Sequence, residues 1–413
     1  MLVTYYDSFN VLSKVYQDGA YIKQALNTTQ VEERNRSAIT KICYGVLDKD
    51  VTLDYILDSF CAKKPKTAVK ILLKIGIYAI KYLNTAPHAV TDTLVTLCKK
   101  MGKGGVSGFV NAVLRNFIRS GIELPKGNDT KSLSIYYSYP EFLTKKLVNS
   151  YGLETAKQIM AFDDEYTYLR FESSGESYLK SLGINYQKTV FENLYKVDNF
   201  RLDGLFYEGL YTFQTIGSVA ICSQAKGGEK LLDCCSAPGG KAVLLSSAYD
   251  TVTACDIHEH RVSLIKSYAE RMNKTNITAI LQDATEFNPE FEGAFDTVLC
   301  DVPCSGTGVI KQNPDIKLNR TNSGISDLCA LQKKILQNVS KYVKKGGEII
   351  YSTCSILPDE NDNVIEDFIK SNASFTVVNS TCKLSGIKSK YGLQFLPNIS
   401  KGAGFYVCTL KKL

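Results

Sequence analysis

The chain has 413 residues, 44% of them hydrophobic and 22% charged, and a formal net charge of +7. Such a length accommodates two or three domains with a core each, and the composition is that of a globular protein rather than a disordered or fibrous one. The opening Met1-Leu-Val-Thr-Tyr-Tyr-Asp7 lacks the pattern of a secretion signal, and no apolar run nears the roughly 18 residues of a membrane helix.

Thirteen scattered cysteines without a Cys-x-x-Cys pair argue for reduced thiols rather than disulfides or zinc, so a cytoplasmic protein is expected. The charge is unevenly placed. Residues 1–125 hold 17 Lys/Arg against 10 Asp/Glu, whereas the remainder holds 32 of each. A basic first segment suits contact with an anionic polymer, and it equally suits a well-solvated surface.

From Tyr5 to about Arg119 the apolar residues recur at helical spacing, as in Val11, Leu12, Val15 and Tyr16, or Ile39, Ile42, Cys43 and Val46. Residues 69–83 are apolar on most sides and predict the central helix of a bundle. The breaker-rich stretch 121–130 reads as a linker. Helices are expected at 140–151 and 154–161. Short alternating segments at 168–171, 189–191 and 194–197 then predict a small α+β subdomain, followed by 210–214 and a helix near 218–224.

A strand–helix rhythm begins at Glu229, with strands expected at 230–234, 251–255, 278–282, 297–300, 348–351, 375–378 and 405–409. That alternation predicts a mainly parallel, doubly wound sheet. The first strand runs into Asp233-Cys-Cys-Ser-Ala-Pro-Gly-Gly-Lys241, a glycine turn where a ligand can approach the backbone. It lacks the Gly-x-Gly-x-x-Gly spacing of dinucleotide sites. Acids close the second and third strands at Asp256 and Asp283, placed for ribose hydroxyls and an adenine edge; each alone could equally be a helix cap. Together they suggest an adenosyl ligand such as S-adenosylmethionine. His258 and His260 flank Glu259 without further ligands nearby and read as a solvated helix start rather than a metal site.

The fourth strand stops at Asp301, followed by Val-Pro-Cys304-Ser-Gly-Thr-Gly308, and the fifth is followed by Cys354 in Ser352-Thr-Cys-Ser355. A single cysteine is most often a small buried hydrophobe. Two in equivalent loops on neighbouring strands, beside an acid, point instead to a shared cleft. The chemistry that would use them is methylation at C5 of cytosine: a thiolate adding at C6 makes C5 nucleophilic, and Asp301 suits stabilisation of the adduct at the N3 side.

At these residues the chain closely resembles the RsmB/Sun family of 16S ribosomal RNA cytosine-C5 methyltransferases. The matching stretches are Leu231–Lys241, Asp301–Gly308, Pro314-Asp-Ile-Lys317 and Ser352–Asn361. The resemblance implies that Cys354 is the nucleophile and that Cys304 assists release of the methylated base. It also implies that Cys235, Ser236, Ala237, Pro238, Gly239, Gly240, Lys241, Asp256, Asp283 and Asp301 bind S-adenosylmethionine. Glu33-Arg-Asn-Arg36, Tyr44-Gly-Val-Leu47 and Gly108–Arg115 are similar to a NusB-like RNA-binding bundle.

The implied architecture is a NusB-like all-α domain over 1–125, a linker and small α+β, RRM-like subdomain over 126–205, and a Rossmann-like class I methyltransferase domain over 206–413. It implies a monomer acting on 16S rRNA before or early in subunit assembly, with no membrane partner and no metal. Departures from the family pattern are Thr215 and Ala403 where an acid is usual, Glu172 for Asn, and Asn313 and Leu318 for His and Trp. A nucleotide-dependent dehydrogenase and an RNA-binding regulator with a disused catalytic half are the competing readings.

Overall fold

The computed structural model describes residues 1–163, 167–198 and 200–413. It divides into two compact units, Met1–Ala161 with Ile310–Thr321, and Phe162–Val309 with Asn322–Leu413. Among the described residues no helix is long and apolar enough to cross a membrane.

The first unit is helical, as its periodicity predicts. Helices Leu2–Asp18, Glu33–Asp48, Asp50–Asp58, Thr67–Lys81, Pro87–Lys100 and Ser107–Ser120 bury their apolar faces in one core, and Thr130–Tyr137, Glu141–Tyr151 and Leu153–Ala161 extend it. The helix Thr67–Lys81 is central because it is apolar all round: every position from Ile71 to Ala79 is buried. That run includes Lys74, whose ammonium is neutralised by Asp50 and by Asp54 at 2.8 Å, with the Tyr16 ring 5.0 Å away. A buried ammonium is tolerable only with such partners.

Residues 310–321 pack in this unit, although they follow the fourth strand of the α/β sheet in sequence. Lys317 donates to the carboxylate and the backbone carbonyl of Asp48, both at 2.8 Å, and lies 4.4 Å from the Tyr139 ring. Asp315 accepts from the backbone N–H of Ile22 at 3.4 Å. Burial draws the Lys317 ammonium down to about 8, while Asp48, set among Lys317, Lys49 and Lys311, is held below the usual carboxylate range despite its own burial.

The second unit holds two sheets. The smaller is antiparallel and built from β1 (Thr167–Phe171), β2 (Tyr186–Lys188), β3 (Leu194–Val197) and β4 (Tyr211–Phe213), in the order β2-β3-β1-β4. Its core is aromatic, with Phe171, Tyr195 and Tyr211 packed on Leu169, Leu179 and Val197. The larger sheet contains β5 (Gly228–Asp233), β6 (Tyr249–Asp256), β7 (Ile277–Leu281), β8 (Phe295–Asp301), β9 (Val343–Thr353), β10 (Phe375–Val378), β11 (Ile387–Lys388), β12 (Leu393–Phe395) and β13 (Phe405–Lys412). The order is β11-β12-β13-β9-β8-β5-β6-β7, with β10 on β13. The five strands from β7 through β9 are parallel, and β13 runs antiparallel to β9.

All seven strands expected after Glu229 are present in an α/β sheet, which is mixed: its five parallel strands continue into antiparallel ones from β13 outward. The differences are local. The segment 189–191 is not a strand; β2 lies just before it, because a turn through Asn193 at φ +57° closes the β2–β3 hairpin. The strand expected at 348–351 lies within the eleven-residue strand Val343–Thr353, because Val343 already pairs with Phe295 and the register then shifts before pairing resumes at Glu348.

Candidate active site

In this sheet β5 is followed by β6 and β7 on one side, and the chain then crosses back to β8 on the other side of β5, so the strand order reverses between β5 and β8. Open α/β sheets form their clefts at such a reversal. There β5 ends at Asp233 and the loop 234–239 turns into the helix Gly240–Leu245. The loop is closed by Gly239 N–H on Ser236 O at 2.7 Å, and it hangs on β6 through Ser236 N–H to Cys255 O at 2.8 Å. Gly239 sits at φ +104°, a conformation that side-chain-bearing residues rarely adopt.

Within this loop Asp233 is fully buried, and neither of its carboxylate oxygens, nor the Ser236 hydroxyl, has a partner at hydrogen-bonding geometry. Burial pushes Asp233 up to about 7, against the pull of the neighbouring Ser236 and Lys241. Cys235 is raised well above the usual thiol range by the adjacent Cys234 and by burial, which leaves it a small inert side chain. Asp256 and Asp283 each spend one oxygen on a turn two residues on, to His258 N–H at 3.1 Å and Thr285 N–H at 2.8 Å. Neither acid caps a helix, since the helix Glu259–Arg271 starts after His258 without a side-chain cap and Asp283 precedes only a turn; each turn bond engages one oxygen of its carboxylate.

Lys241, at the start of the same helix, reaches across to Asp301 at the end of β8, with Nζ 2.6 Å from Oδ2. Burial alone would lower the Lys241 pKa, but the Asp301 carboxylate outweighs it and holds the ammonium above the ordinary lysine value. The other oxygen, Oδ1, accepts from the Ser352 hydroxyl at 2.6 Å. This contact follows from strand register, since Asp301 and Ser352 are direct partners in the parallel β8–β9 pair.

The same register sets the two cysteine loops side by side. The sulfurs of Cys304 and Cys354 are 2.9 Å apart, and neither is in a disulfide. Proximity to the Cys354 sulfur, and then burial, push the Cys304 thiol well above its usual range. Cys304 therefore keeps its proton at neutral pH. The loops are cross-linked by Gly308 N–H to Cys354 O at 2.9 Å and by Thr307 to the Ser355 hydroxyl at 3.0 Å.

Several contributing residues had no role in the sequence reading. Arg170 on β1 donates to Gln214 at 2.6 Å, and Gln214 donates to the Gly240 carbonyl at 3.0 Å, joining the small sheet to the glycine turn. Glu172, which stands where the family pattern has Asn, pairs with Arg170 at 2.6 Å and with Lys274. Glu360, fully buried, binds both cysteine loops. The signal for the last was its place in Pro358-Asp-Glu-Asn361, directly after the Cys354 loop.

Two protein families match this chain. The model described as 16S rRNA methyltransferase RsmB/F covers residues 220–411, and that of the NusB family covers residues 7–119. The Bacillus subtilis (strain 168) protein named "Probable ribosomal RNA small subunit methyltransferase B" is 32% identical over 98% of this chain and 98% of its own length. The Pectobacterium carotovorum protein named "Ribosomal RNA small subunit methyltransferase B" is 30% identical over 97% of each.

The chain belongs to the RsmB family of ribosomal RNA small subunit methyltransferases.

Two solved structures share the fold. The crystal structure of PH0851 matches over 100% of this chain and 99% of its own, with a TM-score of 0.84 and 19% identity. NSun6 from Pyrococcus horikoshii with SFG matches over 67% of this chain and 99% of its own, with a TM-score of 0.61 and 16% identity. The cofactor of this methyltransferase family member is S-adenosylmethionine, as the sequence led us to expect. The residues fit it: buried, unpartnered acceptors at Asp233 and Ser236 suit donor groups of the ligand, and the turn at Gly239 leaves no side chain in its path.

Proposed function

We propose that this RsmB family protein methylates C5 of a specific cytosine in 16S rRNA through a covalent adduct between Cys354 and C6 of the base. The observation that carries the reading is the pair of thiols 2.9 Å apart, beside the Lys241–Asp301 ion pair on one sheet edge. S-adenosylmethionine, when bound, supplies an electrophilic methyl group at that edge. Cys235 to Lys241, Asp256, Asp283 and Asp301 are the residues we assign to holding it.

Cys354 forms the bond to C6, which drives electron density toward C5 and onto the N3 side of the ring. The thiol proton passes to N3 as the C6–S bond forms, and Asp301, steadied by Lys241 and Ser352, accepts a hydrogen bond from the protonated N3. After transfer the C5 proton is lost to solvent, the C5–H pair restores the C5=C6 bond as the C6–S bond breaks, and the C–S pair returns to Cys354, with Cys304 assisting that release. The target base must leave its stack, because a stacked cytosine cannot present C6 to a thiol. The basic helical unit supports binding of the surrounding RNA, and we assign the protein to act as a monomer before or early in subunit assembly.

The test is transfer from labelled donor to small-subunit RNA, with bisulfite mapping of the product. Cys354→Ala is expected to abolish transfer, and Cys304→Ala to leave a protein–RNA adduct that survives denaturing electrophoresis. Full turnover by the Cys354 variant, or a methyl group found on an atom other than cytosine C5, would sink the mechanism.

A further inference from the structure

The two thiols stand on irregular loops, and loops hold geometry only as well as their hydrogen bonds allow. Thr307 and Gly308 tie the far end of the Cys304 loop to the Cys354 loop. The near end, next to the sulfur, is held differently. Glu360 is fully buried, and its carboxylate gathers four uncharged donors. Oε1 accepts from Ser305 N–H at 2.7 Å and from Gln332 at 3.0 Å. Oε2 accepts from the Ser305 and Ser355 hydroxyls, each at 2.5 Å.

Ser305 follows Cys304 in the chain, and Ser355 follows Cys354. One carboxylate thus touches the residue after each thiol. Gln332 also donates to the carbonyl of Pro303, the residue before Cys304, at 2.9 Å. The acid is itself anchored to β9, because the Tyr351 hydroxyl donates to the Glu360 carbonyl at 2.7 Å. Burying a carboxylate without a cation is costly, and four donors on two oxygens are what make it tolerable.

We propose that Glu360 is a positioning residue that sets the separation of the Cys304 and Cys354 sulfurs by clamping both loops through Ser305 and Ser355. The proposal rests on the two-thiol reading of the site for its catalytic meaning, but the separation itself can be measured without any methyl transfer. Glutamine can replace the acid in this clamp: its oxygen serves Ser305 N–H and Gln332, and its amide donates to the two hydroxyls, which rotate to accept. Alanine cannot.

The experiment is diamide-driven coupling of Cys304 with Cys354 in the full-length protein, followed by non-reducing peptide mapping. Two thiols lose two protons and two electrons to form the disulfide, and diamide is reduced to its hydrazine. We expect Glu360→Ala to slow coupling at least tenfold and Glu360→Gln to restore it to within about threefold of the natural protein. Binding of S-adenosylhomocysteine, followed by calorimetry, should be unchanged in both.

Ser355→Ala removes the hydroxyl bridge to the Cys354 loop and keeps the carboxylate, so it serves if Glu360→Ala does not fold and is expected to slow coupling severalfold; Ser305→Ala keeps the Ser305 N–H on Oε1 and is expected to slow it less. Coupling at the natural rate in Glu360→Ala, or in both serine variants, would overturn the proposal. If coupling follows this order while Cys354→Ala still turns over, the clamp stands and the assigned chemistry falls.

Discussion

Lys241, at the start of the helix after β5, reaches Asp301, at the end of the neighbouring strand β8 and 60 residues on in sequence, with 2.6 Å between ammonium and carboxylate. Because the Lys241 pKa is raised, its contribution to stability is fully present below the ordinary lysine value and is lost only as pH rises through the higher folded value. The pair should therefore be intact throughout the neutral range. Lys241→Met is expected to lower the transfer rate about 100-fold. Because both side chains are about one-fifth exposed, it should cost only about 1–2 kcal/mol of stability. Parallel single-turnover and urea-unfolding measurements check both.

Asp233 carries a pH signature of opposite sense to a salt-bridged acid. Its folded pKa is raised to about 7 by burial, so the folded state binds more protons than the unfolded chain between about pH 4 and 7. Stability from this group is complete below the unfolded pKa and declines as pH rises to 7, with a slope of at most about 1.4 kcal/mol per pH unit. Asp233→Asn should flatten that part of the stability profile in donor-free protein. Urea denaturation at successive pH values reads it directly, and an unchanged slope would reject the assignment.

Gly308 has no room for a methyl group. A Cβ there would lie 2.0 Å from the Gly404 carbonyl oxygen and 2.9 Å from that of Cys354. Both contacts are backbone and cannot swing aside, and the Gly404 N–H bonds back to Gly308 O at 2.7 Å. Gly308→Ala should destabilise by about 1–3 kcal/mol and disturb the thiol loops more than the donor loop. The expected kinetic result is a lower single-turnover rate with donor affinity unchanged in calorimetry.

The Asp48–Lys317 pair should respond asymmetrically. Asp48 has Lys49 at 2.8 Å and Lys311 at 3.5 Å as well, so it stays neutralised in Lys317→Met. Asp48→Asn strands a buried ammonium and should cost about 3–5 kcal/mol at pH 7, clearly more than the lysine variant. The difference should shrink above about pH 8, where Lys317 sheds its proton in the natural protein. Chemical denaturation of the four combinations in a double-mutant cycle tests this.

The α/β sheet was readable because buried parallel strands are short apolar runs between turn residues, and β5 to β9 all carry that mark. Knowing that β8 and β9 are neighbours was enough to bring Cys304 and Cys354 together on paper. The short strands Ile387–Lys388 and Leu393–Phe395 were missed because two or three residues show no alternation. Buried charges were missed for a different reason. Lys74 and Glu360 look solvated in a linear pattern, and only partners distant in sequence, Asp50 for one and Ser305 for the other, make their burial possible. The stretch Pro314–Lys317 is likewise placed by Asp48, Ile22 and Tyr139 rather than by its neighbours in the chain.

That last placement bears on how the protein is made. The helical unit is complete only when residues 310–321 arrive, about 150 residues after Ala161 leaves the ribosome's catalytic centre. At roughly 5–20 residues per second, the wait is on the order of 10–30 s. Throughout that interval Asp48, Ile22 and Tyr139 lack the segment that covers them, so this edge of the amino-terminal unit is completed only after β5 to β8 have been translated.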